Sequence, residues 1–455
     1  MQKTVVINAV GLTSSLIGPH TPRLAKFRDA NKLAHITPSL PAVTTTVQTT
    51  YLTGVTPAEH GVIANGWYYR DDAEVHFWKQ SSRLIQRPRL WDIAKQRDPR
   101  FTCANMFWWY AMYSNADYTV TPRPMYPADG RKLPDVWTNP PRLRDPLQQK
   151  LGQFPLFKFW GPATSIECTQ WIADATVEVD KQYDPTLTLV YLPHLDYAYQ
   201  RRGPGASENA TDLAELDQVC GQLFDHFQSR SAKIIVLSEY GITPVSRPVH
   251  LNREFRKAGL ITVREEMGHE ILDCGASAAF AVADHQIAHI YVNDPSRLSQ
   301  IQSIVERTPG VARVLDEHGK KELSLNHLRA GDLVALADRD AWFTYYFWED
   351  DAKAPDYART VDIHRKPGYD PVELFLDPAI KNPKLRIAQK LLLRKLGQRA
   401  LLDVIPLDAS LVKGSHGLLP ERYEEGPLLI GDHHATTPVP ATDVCGLILD
   451  TVFKS

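Results

Sequence analysis

The sequence predicts an α/β fold with a central, mostly parallel sheet flanked by helices, because short apolar runs alternate along the chain with amphipathic stretches. Each apolar run is bounded by Gly, Pro or polar residues, as is typical of strands buried on both faces. The strand candidates are residues 4–8, 101–107, 187–192 and 233–238. The length of 455 residues suits one large domain with an insertion, or two domains.

The helical pattern, with apolar residues three and four positions apart, is clearest in four segments. These are residues 45–52, 165–180, 208–229 and 298–306. Ser207 is the predicted N-cap of the third segment, and Glu208 in its first turn suits the helix dipole. Helices between strands supply the crossovers that a parallel sheet requires.

The pattern of predicted strands and helices changes between about residue 250 and residue 360. A second β/α pattern appears there, with strand candidates at residues 278–283, 288–292, 311–314 and 333–336. This stretch has few candidate catalytic residues. We therefore predict a core formed by residues 1–249 and 360–455, with residues 250–359 inserted as an α+β cap that helps to select the substrate.

The composition excludes several classes of protein. With 51 Lys+Arg against 53 Asp+Glu, the net charge of −2 argues against binding a nucleic-acid duplex through a general basic field. No run approaches the ~18 apolar residues of a membrane span, and the start of the chain has no secretory pattern. The five cysteines are dispersed and form no CxxC, which predicts reduced thiols and a cytoplasmic location.

One segment near the C-terminus is basic and amphipathic. Residues 381–399 contain seven Lys or Arg and no Asp or Glu. We interpret the segment as a solvated helix face, with a membrane-surface or partner-binding helix as the alternative.

Polar residues follow several of the predicted strands, where sites of parallel α/β sheets collect. Asn8 ends the first strand, Asp196 follows the strand at 187–192, and Glu239 and Tyr240 follow the strand at 233–238. His416 lies on a tight turn between small residues. Together these side chains predict a metal site of oxygen and nitrogen donors. Taken singly, each has a structural explanation as a helix cap or a loop residue.

A run of hydroxyl side chains follows a loop bounded by Pro38 and Pro41 and would place Thr44 at a helix N-terminus. Unpaired backbone N–H groups and the helix dipole favour an anionic phosphate or a Thr alkoxide there. The alternative is a plain Thr N-cap.

The stretch from Thr53 to Asn65 matches the pattern TG-x-x-P-x-x-HG-x-x-x-N and resembles the nucleotide pyrophosphatase/phosphodiesterases of the alkaline phosphatase superfamily. Weaker matches, in the family's order, are Thr21-Pro22, Asp196 followed by Gly203-Pro204, and the late Gly-x-His-Gly that contains His416. The resemblance implies an alkaline-phosphatase-like core and a site for two metal ions, usually zinc. It also implies a Thr nucleophile that forms a covalent phospho-intermediate.

Carried over residue by residue, the resemblance assigns the nucleophile to Thr44, or to Thr45 if the register slips by one, and a phosphate contact to Asn65. The seven metal-contacting positions correspond to Asn8, Thr44, Asp196, Gln200, Glu239, Tyr240 and His416. Only Thr44, Asp196 and His416 keep the family's residue type. Asn8 and Glu239 replace Asp, Gln200 and Tyr240 replace His, and Val47 stands where the family has Asn.

These replacements leave an oxygen-rich set with a single imidazole. Such a set shifts the preference from two zinc ions towards one ion, or towards harder ions such as Mg²⁺, Mn²⁺ or Ca²⁺. Asp362 and His364, where the chain returns from the cap, could add ligands, or could form a structural hydrogen bond. Trp108 and Trp109, after a strand, could stack on a base or sugar of the substrate, or could pack in the core.

The main hypothesis is a metal-dependent hydrolase of a phosphodiester, a phosphomonoester or a related anion, in which Thr44 attacks and Asp196, Glu239 and His416 hold the metal. A second is a transferase, isomerase or lyase step on a phosphorylated or sugar-like metabolite at a rebuilt site, with Tyr240 as general acid or base. A third is a binding protein that keeps the fold without catalysis. The sequence leaves the substrate and the oligomeric state open.

Overall fold

The computed structural model describes residues 1–398 and 400–453. The strands in chain order are β1 (Thr4–Ala9), β2 (Lys32–Thr37), β3 (Gly66–Tyr69), β4 (Glu74–Phe77), β5 (Cys103–Met106), β6 (Tyr118–Pro122), β7 (Val136–Asn139), β8 (Leu187–Leu192), β9 (Lys233–Leu237), β10 (Thr243–Pro244), β11 (Arg247–Val249), β12 (Thr262–Glu266), β13 (His269–Asp273), β14 (Ala279–Asp284), β15 (Ile287–Val292), β16 (Val311–Leu315), β17 (Leu333–Ala337), β18 (Ala341–Phe343), β19 (Gly414–Ser415), β20 (Leu428–Gly431) and β21 (Val439–Pro440).

The α-helices in chain order are α1 (Pro22–Asp29), α2 (Thr44–Thr53), α3 (Pro57–His60), α4 (Leu90–Arg97), α5 (Arg144–Leu151), α6 (Leu156–Phe159), α7 (Ile166–Tyr183), α8 (His194–Arg202), α9 (Asn209–Ser229), α10 (Leu251–Lys257), α11 (Leu298–Arg307), α12 (Glu317–Glu322), α13 (Pro383–Lys395) and α14 (Val444–Phe453). Among the described residues, no helix combines the length and the apolar character needed to cross a membrane.

The largest sheet across the described residues has nine strands in the order β21-β2-β20-β9-β1-β8-β5-β6-β7. Its centre is parallel, from β9 through β1, β8 and β5 to β6, and antiparallel pairs follow on both sides. Every residue of β1 and β8 is buried, because helices cover both faces of the central strands. This confirms the predicted α/β class.

The predicted elements agree well with the observed ones. The strand predicted at residues 187–192 has those bounds, and the helix predicted at 208–229 is α9. The capping prediction is wrong: the N-cap of α9 is Glu208, and the Ser207 hydroxyl donates to the Glu208 carboxylate. Arg399, the last residue of the basic segment 381–399, lies outside the described residues.

A second sheet, antiparallel and with four strands in the order β14-β15-β17-β16, lies within the segment predicted as a cap. Its strands coincide with the four strand candidates of that segment. The turn between β14 and β15 contacts the core, because the backbone N–H of Gln286 donates to the His416 carbonyl oxygen at 3.0 Å. Placing the cap boundaries at residues 250 and 359 stays a prediction.

Candidate active site

The polar residues predicted from the strand ends come together at one edge of the nine-stranded sheet. Asn8 of β1 is in register with Tyr191 of β8 and Leu237 of β9, so these three strands end side by side. The chain continues from β8 into α8, which carries Asp196, and from β9 into Glu239 and Tyr240. Thr44 and His416 reach the same place from α2 and β19. All of these side chains are buried.

Thr44 is the first residue of α2, and its hydroxyl makes none of the bonds to helix carbonyl oxygens that three other hydroxyls of this helix make. Thr49, Thr50 and Thr53 each donate to the carbonyl oxygen four residues earlier, which satisfies hydroxyls in a fully buried helix. Thr44 has no helical turn before it, and the N-cap is Val43. Its hydroxyl is therefore not a cap, which excludes the plain N-cap alternative, and it lies 2.9 Å from the Tyr240 hydroxyl oxygen.

The Tyr240 hydroxyl connects Thr44 to Asp196. It donates to Asp196 Oδ1 at 3.3 Å, and because a phenol has one proton, Thr44 is the donor in its bond to Tyr240. Asp196 also accepts from Gln200 Nε2 at 2.8 Å. Burial raises the pKa of Asp196 to about 7, while the hydrogen bonds from Tyr240 and Gln200 oppose that rise. A carboxyl group with such a pKa can exchange a proton near neutral pH.

Glu239 forms the second half of the site, on the side of β1. Its Oε1 accepts from Asn8 Nδ2 at 2.6 Å and from Gln48 Nε2 at 2.7 Å. Burial raises the pKa of Glu239 to about 8. Gln48 is fixed in turn by the backbone N–H of Trp109, which donates to Gln48 Oε1 at 2.7 Å.

His416 is held beside Asp196 by a column of stacked rings. Its ring stacks on Tyr240 with centroids 3.7 Å apart and packs at a tilt of 37° against His285 at 3.6 Å, and His285 stacks on Tyr369 at 3.7 Å. His416 Nδ1 lies 2.8 Å from the carbonyl oxygen of Ala42, and Nε2 lies 3.6 Å from Asp196 Oδ1. Burial lowers the pKa of His416 to about 3, so the imidazole is neutral.

Asn65 joins the start of α2 to β14. Its Oδ1 accepts from the backbone N–H of Thr45 at 3.0 Å, so it holds one of the free N–H groups of the first turn of α2. Its own backbone and side-chain N–H groups donate to Asp284 at 2.7 and 3.1 Å. The predicted contact of Asn65 with a phosphate stays a prediction.

Three parts of the site lay outside the sequence prediction: Gln48, Tyr369, and the pair Asp284 and His285. The dipeptide Asp-His is visible in the sequence, but only the fold brings the β14–β15 turn onto His416.

The two candidate ligands where the chain returns from the predicted cap, Asp362 and His364, lie apart from the buried network. Asp362 is partly exposed, and His364 is exposed, with Nδ1 3.2 Å from the Phe77 carbonyl oxygen.

The two tryptophans predicted to contact substrate contact protein in this structure. Trp108 is fully buried and Trp109 nearly so. Trp109 packs against Trp78 with ring centroids 4.8 Å apart. Stacking on a substrate stays a prediction for both.

The possible metal ligands differ between the Asp196 side of the site and the Glu239 side in how many of their atoms already make hydrogen bonds. Asp196 accepts hydrogen bonds on both oxygens, and Gln200 Oε1 already accepts from Tyr369 at 2.9 Å. On the other side, Asn8 Oδ1 and Glu239 Oε2 are buried and have no hydrogen-bond partner among the described residues. Unpaired buried oxygens are rare in proteins, and a cation is one partner that would satisfy them. The two unpaired oxygens therefore suit one ion on the side of β1, whereas on the side of Asp196 only His416 Nε2, of the ligand atoms named here, has no hydrogen bond.

Two further groups of potential ligands lie elsewhere among the described residues. These are Asp72, Glu74 and His76, and His194, Asp212 and Glu215. Neither group includes Asp196, Glu239 or His416. In the second group Asp212 is also paired with Arg202, whose charge opposes a cation there.

Comparison with known proteins assigns the chain to a family. The model of the type I phosphodiesterase/nucleotide pyrophosphatase family matches residues 4–370. The chain belongs to this family, whose members are metal-dependent phosphoric ester hydrolases of the alkaline phosphatase superfamily.

Solved structures share the fold. Murine ectonucleotide pyrophosphatase/phosphodiesterase 5, in complex with AMP, superposes with a TM-score of 0.59 at 15% identity, covering 99% of this chain and 95% of that one. Phosphonoacetate hydrolase from Sinorhizobium meliloti, in complex with phosphonoformate, gives 0.60 at 13% identity, covering 99% and 96%. An uncharacterized pyrophosphatase/phosphodiesterase of Schizosaccharomyces pombe is 22% identical over 231 residues, which are 50% of this chain and 41% of that protein. The matched part of the chain therefore spans less than half the length of that relative.

Proposed function

We propose that this protein hydrolyses phosphate esters of small molecules, with Thr44 as the nucleophile. The observation that carries the proposal is the hydrogen-bonded chain from Thr44 through Tyr240 to Asp196, at 2.9 and 3.3 Å. It links a hydroxyl at a helix N-terminus, where phosphate is favoured, to a carboxyl group that can take its proton.

The reaction has two stages. In the first, Thr44 Oγ attacks phosphorus while its proton passes to the Tyr240 oxygen and the Tyr240 proton passes to Asp196. The bond from phosphorus to the leaving oxygen breaks, and solvent protonates the leaving alkoxide. In the second, water attacks the phosphothreonine and loses a proton to solvent. Asp196 then returns its proton through Tyr240 to Thr44 Oγ as the bond from Thr44 to phosphorus breaks.

One divalent ion would complete this proposal, and Asn8 Oδ1 and Glu239 Oε2 would hold it. Its positive charge would offset the negative charge on the transferring phosphoryl group. Oxygen donors of this kind favour Mg²⁺, Mn²⁺ or Ca²⁺ over zinc. The chain's own residues place the other groups: Asn65 orients the start of α2, and the neutral His416 packs against the Tyr240 ring.

A Tyr240→Phe variant is expected to lose roughly 10²-fold in turnover of para-nitrophenyl phosphate or its diester, since it removes only the proton relay. The ring and its stacking on His416 remain, so the thermal midpoint should change little. Tyr51→Phe is the matched control: its buried hydroxyl donates to the Ser238 carbonyl oxygen at 2.8 Å, outside the relay. Unchanged turnover in Tyr240→Phe would show that the Thr44 proton takes another route.

The pH dependence of turnover follows from Asp196. This carboxyl group must be ionised to accept the proton, and burial raises its pKa to about 7. As the pH falls below that value the base becomes protonated, so kcat/KM should decline towards acid and level off above neutrality. A series of rates from about pH 5 to about pH 9 measures it. A flat profile over that range would contradict Asp196 as the base.

A second candidate function is binding of a phosphate ester without turnover. It is favoured by the hydrogen bonds that Asp196, Gln200 and Tyr369 already make, which leave His416 Nε2 as the one ligand atom named above without a hydrogen bond in that half of the site. Affinity for a phosphorylated ligand together with no hydrolysis on a broad panel of phosphomonoesters and phosphodiesters would establish it in place of the first.

A further inference from the structure

The helix α13 presents its apolar side to solvent and its basic side to the protein. Leu385, Leu392 and Leu396 are 57%, 57% and 69% exposed, and α13 has no buried residue. With Ala388 they follow the spacing of a single helix face. We call these four residues the leucine face. Of the seventeen large apolar side chains that are exposed among the described residues, seven lie between Leu376 and Leu401.

The basic side chains on the opposite side of α13 form ion pairs and a hydrogen bond with the following segment of the chain. Arg386 and Lys390 both pair with Asp403, and Arg394 Nε donates to the Ala400 carbonyl oxygen at 2.6 Å. These three basic residues are four positions apart, so they share one face of the helix. The ordinary arrangement, with leucines packed inwards and charges outwards, is reversed. The solvated-face interpretation of the sequence does not explain it.

Two unpaired cations flank the leucine face. Lys384 and Lys395 are exposed, and the ion pairs among the described residues include neither of them. The segment 381–399 carries seven basic and no acidic residues in a chain whose net charge is −2. Apolar side chains flanked by lysines match the interface of an anionic bilayer, where leucines enter the acyl boundary and lysines meet the headgroups.

We propose that α13 docks this protein on an anionic lipid surface through the leucine face, with Lys384 and Lys395 at the headgroups. Pairing with a second copy through the same face would bring the lysines of both copies together, and like charges oppose that arrangement. The thirteen residues of α13 lie along the surface rather than through it. The family match ends at residue 370, before this helix.

The test is sedimentation of the full-length protein with vesicles. One set is phosphatidylcholine alone, and the other contains about 30 mol% phosphatidylglycerol. The protein should sediment with the anionic set and stay in solution with the neutral set. Raising the salt from about 0.1 M to about 0.5 M should release it, because the attraction is screened. Absence of sedimentation with the anionic vesicles at low salt would overturn the proposal.

Variants separate the two contributions. The triple change Leu385→Gln, Leu392→Gln and Leu396→Gln should raise the half-saturating lipid concentration at least ~10-fold, through lost apolar burial. The double change Lys384→Gln and Lys395→Gln should raise it by roughly fivefold per lysine. Leu328→Gln is the matched control, since Leu328 is 90% exposed elsewhere and should have no effect.

If the triple variant still sediments with the anionic vesicles as the wild type does, the proposal is wrong. The proposal is also wrong if the wild type is a dimer, the triple variant is a monomer and neither protein binds lipid. Hydrolysis of para-nitrophenyl substrates should be the same in all these variants, so this test is independent of the reaction at Thr44.

Discussion

A Thr44→Ala variant is expected to lose at least ~10³-fold of the wild-type turnover of phosphate esters while its fold stays intact. Removal of the hydroxyl takes away the only atom proposed to bond to phosphorus. It leaves α2 otherwise unchanged, because Thr44 makes none of the hydroxyl–carbonyl bonds within that helix. Rates with para-nitrophenyl phosphate and its diester, together with thermal midpoints, measure both effects.

Thr46→Val is the matched control for this variant. Thr46 lies in the same turn of α2, and its Oγ is buried with no hydrogen-bond partner among the described residues. Valine has the same shape, so turnover should remain close to wild type. Thr44→Ser should retain part of the activity, because it keeps the attacking oxygen. Wild-type turnover in Thr44→Ala would exclude Thr44 as nucleophile.

An Asp196→Asn variant is expected to lose ~10²- to 10⁴-fold in turnover without losing stability. An amide cannot take the proton that Tyr240 passes on. The wild-type carboxylate is buried with its pKa raised to about 7, so above that pH its charge lowers the free energy of unfolding and the amide relieves that cost. Kinetics and chemical denaturation at about pH 8 measure the two effects.

Asp217→Asn should show the opposite behaviour. This buried carboxylate accepts the backbone N–H groups of Arg23 and Leu24 at 3.0 and 2.7 Å, at the start of α1. Its loss should lower the free energy of unfolding by about 1 kcal/mol and leave turnover unchanged. Equal losses of turnover in the two variants would mean that Asp196 acts only through stability.

The fold was predictable because its central elements have strong local patterns. The apolar run of β8 and the amphipathic pattern of α9 need no tertiary information, and the observed bounds agree closely with the predicted ones. The mixed directions at the sheet edges were not predictable, since β20 and β21 are short and come late in the chain. Ser207 failed as a cap because the chain enters α9 at Glu208, which already has helical backbone angles.

The site was predictable where residues follow strands, and not where the cap or a helix interior contributes. Asn8, Asp196 and Glu239 follow directly from strand ends. Gln48 is inside α2, and its bond to Glu239 depends on how that helix packs. His285 reaches His416 across more than a hundred residues of chain, through a turn whose position only the cap fold determines. The exposure of the leucines of α13 also could not be predicted from periodicity. Periodicity shows which residues share a helix face, but not whether that face points to the core or to solvent.

The central claim is a hydrolase site rebuilt for one ion, and the metal content per chain tests it most directly. Mass spectrometry of untagged protein, purified without chelators, should find one Mg, Mn or Ca ion per chain. Glu239→Gln should lose that ion, because the change removes the charged donor on the side of β1. Two zinc ions per chain would contradict the account, since both halves of the site would then hold metal.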